Sequence, residues 1–250
     1  MGKVFNALST YYDLIYENKD YTAEAVYVIE LISSYKPDAK TMLEFGSGTG
    51  IHATIFNERG FDIHGVEPST EMLVIAKKKE RPGLFFQQGN MISYKSDNKF
   101  DVATALFHVV SYLNSNEELF SSFINIGNHI KSKGLFIFDA WYSAAVLTQL
   151  PEKRIKIVEN DLYKVTRHAN PVNHWNENVI DVIYDIDVLE KSSGDKQQFS
   201  ETHKMRHFSI PEIELLAKST GFDLIKTEEF GTSKIAGPDT WGVSFVLRKK

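Results

Sequence analysis

Three glycines in the segment Gly46-Ser-Gly48-Thr-Gly50 have the spacing that points most directly to ligand chemistry. The apolar run Thr41 to Phe45 before them is typical of a short buried strand, and we expect a helix from about Gly50 to Arg59. Glycine permits the positive φ of such a turn and leaves room beside backbone amides at the positive end of the helix dipole. The spacing is not the G-x-G-x-x-G of a dinucleotide-binding turn, so the segment alone also fits a merely flexible loop.

Polar residues also follow the next three expected strands. Glu67 ends the strand Phe61 to Val66, seventeen residues after Gly50, where a carboxylate of a βαβ unit can hydrogen-bond both hydroxyls of a ribose. Asn90 follows the strand Leu84 to Gln88, and the strand Phe100 to Phe107 leads into His108-Val-Val-Ser-Tyr112. Because parallel strands end at one edge of a sheet, these residues are expected around a common cleft.

These segments resemble the ordered motifs of class I S-adenosylmethionine (SAM)-dependent methyltransferases. The motifs are Glu44-Phe-Gly-Ser-Gly-Thr-Gly, Val66-Glu67-Pro-Ser, Gly89-Asn90-Met91, Phe100-Asp-Val-Ala and Lys133-Gly134-Leu-Phe-Ile-Phe-Asp. The resemblance implies an α/β fold: a doubly wound, seven-stranded Rossmann-like sheet, here with an inserted antiparallel β-sheet.

The same resemblance implies SAM as cofactor. Glu44 and the glycine turn would hold its methionine portion, Glu67 its ribose, and Asn90 with Met91 its adenine. Asn90 stands where an aspartate is common, and its amide accepts through the carbonyl without a charge-assisted bond. The residues expected to contact the cofactor are Tyr12, Tyr21, Glu44, Gly46, Ser47, Gly48, Gly50, Glu67, Pro68, Met72, Asn90, Met91, Leu106 and Phe107.

Length and composition limit the classes of function that are possible. A chain of 250 residues with 42% hydrophobic content can bury one sizeable core, and no apolar run is long enough to span a membrane, so we expect a soluble cytoplasmic protein. The absence of cysteine excludes thiolate catalysis and disulfides. A net charge of −5 argues against a nucleic-acid partner. His203 and His207 lie on an expected strand without the glutamate of a metalloprotease helix, so we expect no metal site.

The order of the patterns divides the chain into four parts: an N-terminal helical lid (1–40), the SAM-binding α/β core (41–142), the inserted antiparallel sheet (143–208) and a return to the core (209–250). The lid is expected as two helices within residues 3 to 36, broken near Asn18-Lys-Asp20. Its tyrosines Tyr11, Tyr12, Tyr16 and Tyr21 either pack on the sheet edge or cover the cofactor and the acceptor.

The inserted part is predicted as strands near 154–158, 162–169, 178–189 and 199–208. Turns are expected at Asn160-Asp161, Asn170-Pro171 and Ser192 to Asp195. The return consists of a helix that begins at Ser209-Ile-Pro and ends at Thr220-Gly221, followed by a strand hairpin over 222–230 and 241–247 with one strand antiparallel to the rest.

Methyl transfer from a sulfonium is an in-line displacement, so positioning and water exclusion supply most of the catalysis. An amine acceptor must present a free lone pair, whereas an alcohol needs a base more urgently. His108 and Tyr112 should lie along the cleft and are the candidate catalytic residues; both residue types are also common as ordinary polar groups at the rim of a sheet.

A narrower resemblance covers nearly the whole chain, to bacterial N-methyltransferases of nucleotide-linked deoxysugars. Its residues are Tyr12-Asp-Leu-Ile-Tyr, Lys19-Asp-Tyr21, Trp141-Tyr142, Glu201-Thr-His203 and Arg206-His-Phe. It implies a nucleotide-linked amino sugar as the small-molecule acceptor, Tyr112 as a candidate proton acceptor, and an inserted sheet that contributes to the sugar cleft and to the subunit contact of a homodimer.

Three alternatives stay open from the sequence. The acceptor is another small metabolite methylated on nitrogen or oxygen; the chain binds SAM without catalysis; or it is a nicotinamide-dependent reductase that uses Glu67 on a ribose. The G-x-G-x-G spacing and the aromatic segment after the fourth strand argue against the reductase.

Overall fold

The computed structural model describes residues 7–250, so the expected start of the first helix at residue 3 lies outside the described residues. Two helices precede the first strand, α1 (Ser9–Ile15) and α2 (Tyr21–Tyr35), with the predicted break between them. The carboxylate of Asp20 accepts a 2.8 Å hydrogen bond from the backbone amide of Ala23 and so caps α2. Among the described residues, no helix is long and apolar enough to cross a membrane.

Strands and helices alternate through the next hundred residues. Their order is β1 (Thr41–Phe45), α3 (Ile51–Glu58), β2 (Asp62–Glu67), α4 (Thr70–Lys77), β3 (Leu84–Gln88), β4 (Phe100–Ala105), a 3₁₀ turn (Val109–Tyr112), α5 (Asn116–His129) and β5 (Ile130–Trp141). Serines begin the later helices: Ser69 caps α4, and Ser115 forms a reciprocal capping box with Glu118 at the start of α5.

The second half of the chain starts with a short helix that the sequence did not predict. The order is α6 (Ser143–Gln149), β6 (Arg154–Glu159), β7 (Tyr163–His174), β8 (Val179–Glu190), β9 (Lys196–Arg206), α7 (Ile210–Ser219), β10 (Phe222–Glu229) and β11 (Gly242–Lys249). With seven residues, α6 is too short to show a hydrophobic period.

Seven strands form one sheet in the order β10-β11-β5-β4-β1-β2-β3. β11 runs antiparallel to both β5 and β10, and the other neighbouring pairs are parallel. The predicted doubly wound sheet with a final hairpin is therefore confirmed. Because the strand order reverses between β1 and β4, their carboxyl ends leave a crevice in which such folds bind ligands.

Apolar side chains cover both faces of this sheet. Leu43 and Phe45 of β1 belong to a buried cluster with Phe123 of α5, whereas Met42 belongs to the cluster on the opposite face with Phe56 of α3. Each fully buried side chain of this size contributes about 1.5 to 3 kcal/mol to folding. The strand ends that carry the polar residues are therefore held by packing on both sides.

The separate four-stranded sheet is antiparallel, in the order β6-β7-β8-β9. The turn expected at Asn170-Pro171 is wrong, because β7 continues to His174 and Pro171 pairs with Val182. β6 begins at Arg154, which pairs with Ala169, so Pro171 lies beyond the end of that neighbour. A proline at such a local edge leaves no gap in the hydrogen-bond ladder.

Candidate active site

The glycine turn after β1 adopts left-handed backbone angles. Gly46, Gly48 and Gly50 have φ values of 63°, 57° and 82°. The amide of Gly46 donates to the carbonyl of Val66 at 2.8 Å, and a Cβ on Gly46 would lie 2.5 Å from Cγ2 of Val109. Glycine is therefore required at position 46 both for the backbone angle and for contact with the 3₁₀ turn.

Glu67 ends β2 and braces this turn. Its Oε2 accepts from the backbone amide of Gly48 and its Oε1 from that of Ser69, both at 2.8 Å. Burial raises the pKa of Glu67 to about 7, although the two amide hydrogen bonds oppose the rise. Glu67 is 3% exposed yet borders a cavity, so this carboxylate lies within reach of a ligand there.

Glu44 lies beneath the same turn on β1. It is 2% exposed, and within residues 7–250 its Oε2 has no hydrogen-bond partner. Burial, together with the charge of Glu67, raises the pKa of Glu44 to about 8. Two buried carboxylic acids with raised pKa values form a site that favours a cationic ligand.

The chain leaves β4 through two strained residues. Phe107 and His108 have φ values of 65° and 63°, which cost about 1 kcal/mol or more in a residue with a side chain. β4 therefore ends at Ala105 and not at Phe107 as the sequence predicted. Non-glycine residues in such angles cluster at functional sites.

Asp139 of β5 holds this strained turn. Its Oδ1 and Oδ2 lie 3.2 and 3.1 Å from the backbone nitrogen of His108, and Oδ2 lies 2.7 Å from Nδ1 of the imidazole. Burial acts to raise the pKa of Asp139, but the charge and hydrogen bonds of His108 outweigh it and leave that pKa below its ordinary value. The imidazole is thus oriented by a buried carboxylate.

Tyr112 connects the 3₁₀ turn to the four-stranded sheet. Its hydroxyl lies 2.7 Å from Nδ1 of His203 on β9, and Nε2 of His203 lies 3.5 Å from Oε2 of Glu201. Burial raises the pKa of Tyr112 well above its ordinary value, and neighbouring tyrosines and carboxylates add to the rise. The phenol is therefore protonated at neutral pH.

The two N-terminal helices contact the glycine turn and the start of α3. Thr49 donates to a carboxylate oxygen of Asp13 at 2.8 Å, and Nε2 of His52 lies 2.9 Å from a carboxylate oxygen of Glu24. Lys19 pairs with Glu24 and sits 4.4 Å from the ring centroid of Phe107. These contacts place the helices over the cavity, and their role as a lid stays a prediction.

One cavity of about 560 Å³ lies at the carboxyl ends of the central strands. The predicted site residues that line it are Tyr12, Tyr21, Gly46, Ser47, Gly48, Glu67, Pro68, Met72, Asn90, Met91, Leu106, Phe107, His108 and Tyr112. Glu44 and Gly50 do not line it. Gly50 faces the core, since a Cβ there would lie 2.7 Å from Cζ of Phe86.

Asn90 lines the cavity, but its side-chain carbonyl is already engaged. Oδ1 accepts from the backbone amides of Ile92 and Ser93 at 2.9 and 3.0 Å and lies 3.1 Å from the hydroxyl of Ser93. Asn90 thereby shapes the loop after β3. Any hydrogen bond that this oxygen accepted from the amino group of an adenine would compete with these three.

The sequence suggested that the inserted sheet contributes to the cleft but did not single out its side chains. The cavity is also lined by Trp141, Tyr184, His203 and Met205, and by Tyr16, one of the four tyrosines expected on the sheet edge or over the cofactor. Further lining residues that were not predicted are Thr49, Ile51, His52, Ser69, Thr70, Glu71 and Val109. A usable signal for the inserted sheet was alternation: His203 and Met205 are two residues apart on β9 and therefore share a face.

His203 and His207, considered together above for a metal, do not meet. His203 contacts Tyr112, whereas Nδ1 of His207 lies 2.8 Å from the hydroxyl of Ser143. Burial, with the nearby charge of Arg206, lowers the pKa of His207 to about 4. This histidine is a neutral structural group that joins β9 to α6.

A doubly wound sheet with a final antiparallel hairpin, a glycine turn after β1 and a buried carboxylate at the end of β2 is the architecture of a Rossmann-like methyltransferase. The chain belongs to the family described as "Methyltransferase domain", which matches residues 18–227. It is a SAM-dependent methyltransferase.

Curated relatives that are methyltransferases align with most of this chain. The chain is 28% identical over 212 residues to a dTDP-3-amino-3,4,6-trideoxy-alpha-D-glucopyranose N,N-dimethyltransferase of Streptomyces venezuelae, covering 84% of this chain and 87% of the relative. The crystal structure of DesVI from the same organism has a TM-score of 0.81 at 26% identity, covering 97% of this chain and 98% of that one. The sugar N-methyltransferase KedS8 of a Streptoalloteichus species shares the fold, with a TM-score of 0.81 at 21% identity, covering 100% of this chain and 94% of that one.

The residues around the cavity fit SAM. The volume lies in the usual range for small-ligand sites. Glu67 would take the ribose, the amides of the glycine turn and the acid of Glu44 the methionine portion, and Met72 with Met91 the adenine. Oε2 of Glu44, without a hydrogen-bond partner among the described residues, and the raised pKa values of both acids suit a ligand that carries positive charge. When bound, SAM supplies an electrophilic methyl group on a sulfonium.

Proposed function

We propose that this chain methylates the amino group of a nucleotide-linked sugar. The observation that carries the proposal is the cavity wall opposite the glycine turn, where Tyr184, His203 and Met205 of the four-stranded sheet face Tyr112 and Trp141. Aromatic faces suit the apolar face of a deoxysugar and an amino group that becomes cationic. The relative from Streptomyces venezuelae acts, by its name, on such a dTDP-linked amino sugar.

The proposed roles divide between the two sides of the cavity. The glycine turn, Glu67 and the residues after β3 hold the cofactor. His108 and Tyr112 border the acceptor and orient its amino group. The N-terminal helices, with Tyr12 and Tyr21, exclude water, which strengthens every electrostatic interaction inside the site.

The buried phenol favours an amine over an alcohol. An alcohol must lose its proton as the new bond forms, and Tyr112, with its raised pKa, is protonated at neutral pH. A neutral amine needs no base for the attack and gives up a proton readily afterwards. An O-acceptor would need a base that takes its proton during the attack, and the phenol of Tyr112 cannot fill that role by itself.

The proposal has two further parts. The reaction would take place in the cytoplasm, since SAM and nucleotide-linked sugars are metabolites of that compartment. The inserted sheet would also contribute to a homodimer, because its outer strand β6 exposes Ile155 and Ile157 by 65% and 59%. Light scattering of the purified chain tests the second part.

Calorimetry followed by a turnover assay tests the proposed function. We expect micromolar binding of SAM and of S-adenosylhomocysteine, and no binding of NADH. We then expect a dTDP-linked 3-amino sugar to gain one or two methyl groups by mass spectrometry. Cofactor binding without turnover of any amino sugar would favour another acceptor or a non-catalytic protein, and binding of NADH in place of SAM would favour the reductase.

A further inference from the structure

We propose that His203, positioned by Glu201, takes up through the hydroxyl of Tyr112 the proton that the acceptor loses after methylation. This inference rests on the proposed function and deepens it. It makes the inserted sheet part of the chemistry, because both residues of the relay behind Tyr112 lie on β9.

The three side chains lie one behind the other from the cavity into the inserted sheet. The hydroxyl of Tyr112 lies at the hydrogen-bond distance of 2.7 Å from Nδ1 of His203, and Nε2 of His203 lies 3.5 Å from Oε2 of Glu201, which is an ion-pair distance. The other carboxylate oxygen of Glu201 accepts from the backbone amide of Leu8 at 3.2 Å. The side chains of His203 and Glu201 are 3% and 7% exposed, so a charge that develops there is screened little by solvent.

Aromatic packing holds the imidazole in this line. The ring of Tyr184 lies 4.8 Å from that of His203, and the ring of Tyr112 lies 5.9 Å from it, both in edge-on arrangements. Both tyrosines and His203 border the cavity. The imidazole is thus placed to exchange a proton with the phenol without a change of position.

The phenol of Tyr112 would pass the proton on to His203, because it is a poor base by itself and does not keep a second proton. Burial keeps it protonated at neutral pH. Its oxygen can accept a proton from a neighbour only if its own proton moves on, and Nδ1 of His203 lies at hydrogen-bond distance. Nε2 of His203 must then carry the second proton and face the carboxylate of Glu201.

The proposed methylation moves one methyl group and one proton. The lone pair of the neutral amine forms the nitrogen–carbon bond, the carbon–sulfur electron pair stays on sulfur as a thioether, and the new ammonium carries one surplus proton. That proton passes to the oxygen of Tyr112 as the phenolic proton passes to Nδ1 of His203. The products are a neutral methylated amine and an imidazolium paired with the carboxylate of Glu201.

His108 is the competing base. It also borders the cavity, and a buried carboxylate, Asp139, lies 2.7 Å from its Nδ1. The two imidazoles lie on different elements, so variants separate them. If His108 takes the proton, removal of the charge of Glu201 leaves turnover unchanged.

The tautomer of His203 tests the relay without an acceptor. Nitrogen NMR of the full chain, labelled on histidine and saturated with S-adenosylhomocysteine, identifies His203 by the signal lost in His203→Gln. We expect a neutral ring protonated at Nε2, whose Nδ1 signal shifts in Tyr112→Phe. A neutral ring protonated at Nδ1 would overturn the relay, because that nitrogen could not receive the phenolic proton.

Turnover of the dTDP-linked amino sugar tests the role of Glu201. Glu201→Gln preserves an acceptor for the Leu8 amide but removes the charge, so kcat should fall about ten- to a hundredfold, with unchanged affinity for S-adenosylhomocysteine. Glu201→Asp should restore part of the rate. His168→Gln, at a half-buried histidine that does not line the cavity, should leave it unchanged.

The outcomes separate the two proposals. An unchanged kcat in Glu201→Gln overturns the relay, while wild-type turnover upholds the proposed function. Absence of wild-type turnover with amino sugars overturns the proposed function, and the tautomer of His203 still decides whether the relay has the proton arrangement that it requires.

Discussion

The carboxylate of Glu67 accepts a 2.8 Å hydrogen bond from the backbone amide of Gly48, a residue nineteen positions earlier in the chain. The acid predicted to hold the cofactor's ribose therefore also fixes the turn predicted to hold its methionine portion. Since Ser69 donates to the other oxygen, the carboxylate joins the ends of β1 and β2 to the start of α4. Cofactor binding and turn geometry are thus coupled through one side chain.

Replacement of Glu67 by alanine should weaken SAM binding by about 1.5 to 3 kcal/mol, the cost of a lost hydrogen bond to a charged group. Calorimetry with the purified variant measures it. Glu71→Ala is the matched control, because Glu71 borders the same cavity without contacting the glycine turn. An equal loss in both variants would indicate general negative potential and not a specific bond to the ribose.

Gly48→Ala should fold but lose SAM affinity. Gly48 has a φ of 57° and a Cβ there would meet only Met72 Sδ at 3.8 Å, so the protein tolerates the methyl group apart from about 1 kcal/mol of backbone strain. Within the cavity, however, that methyl group occupies space beside the backbone amides. Gly60→Ala is the control variant, because Gly60 has a φ of 92° and so imposes the same kind of backbone strain away from the cavity.

Thermal unfolding and calorimetry distinguish the two glycine variants. We expect similar decreases in Tm, about 2 to 4 °C per kcal/mol for a chain of this size, and a loss of SAM binding in Gly48→Ala alone. Normal affinity in Gly48→Ala would mean that the cofactor does not approach this part of the turn.

The stability of the ligand-free protein should decrease as pH rises from about 5 to about 8. The ordinary pKa of 4.5 is raised to about 7 in Glu67 and about 8 in Glu44, so the folded state keeps protons that the unfolded chain releases. Their contribution is present below pH 4.5 and is lost as pH rises through the folded values. Glu44→Gln never ionises, so its Tm relative to wild type should increase over this range.

The same variant tests the charge of the ligand. S-adenosylhomocysteine carries an ammonium group that compensates an ionised Glu44, so its stabilisation of the wild-type protein should be larger at pH 8 than at pH 6. This increase should be smaller in Glu44→Gln. Equal pH dependence in the two proteins would show that Glu44 stays neutral or lies out of reach of the methionine portion.

The sequence predicted the half of the site that is made of local motifs. Glu67 and the glycine turn follow strands whose apolar runs are unambiguous, and a parallel sheet brings strand ends together whatever the details of packing. The other half depends on long-range contacts. Tyr112 and His203 are 91 residues apart in the chain, and no local pattern states which face of β9 meets the 3₁₀ turn.

Two departures have local physical causes that only the fold reveals. The left-handed angles of Phe107 and His108 are tolerated because Asp139, 31 residues after His108, binds the His108 backbone. Pro171 lies inside β7 because the neighbouring strand has already ended. In both cases tertiary context outweighs the local preference of the residue.

The contact between Thr49 and Asp13 should control how long the cofactor stays bound. It attaches α1 to the glycine turn through a 2.8 Å hydrogen bond, and Tyr12, on the same helix, borders the cavity. Thr49→Val removes the hydroxyl at constant shape and should lower SAM affinity by about 0.5 to 1.5 kcal/mol. Stopped-flow dissociation of S-adenosylhomocysteine should show the change mainly as faster release, since interface changes act mostly on off-rates.

A double-mutant cycle distinguishes a lid from a simple structural bond. If the N-terminal helices cover the bound cofactor, Asp13→Ala and Thr49→Val each accelerate release, and the double variant does so no more than the stronger single one. Thr49→Ser keeps the hydroxyl and should release at the wild-type rate. If the helices only pack on the sheet, the variants lower Tm and leave the release rate unchanged. That result would favour the interpretation in which the four tyrosines pack on the sheet edge.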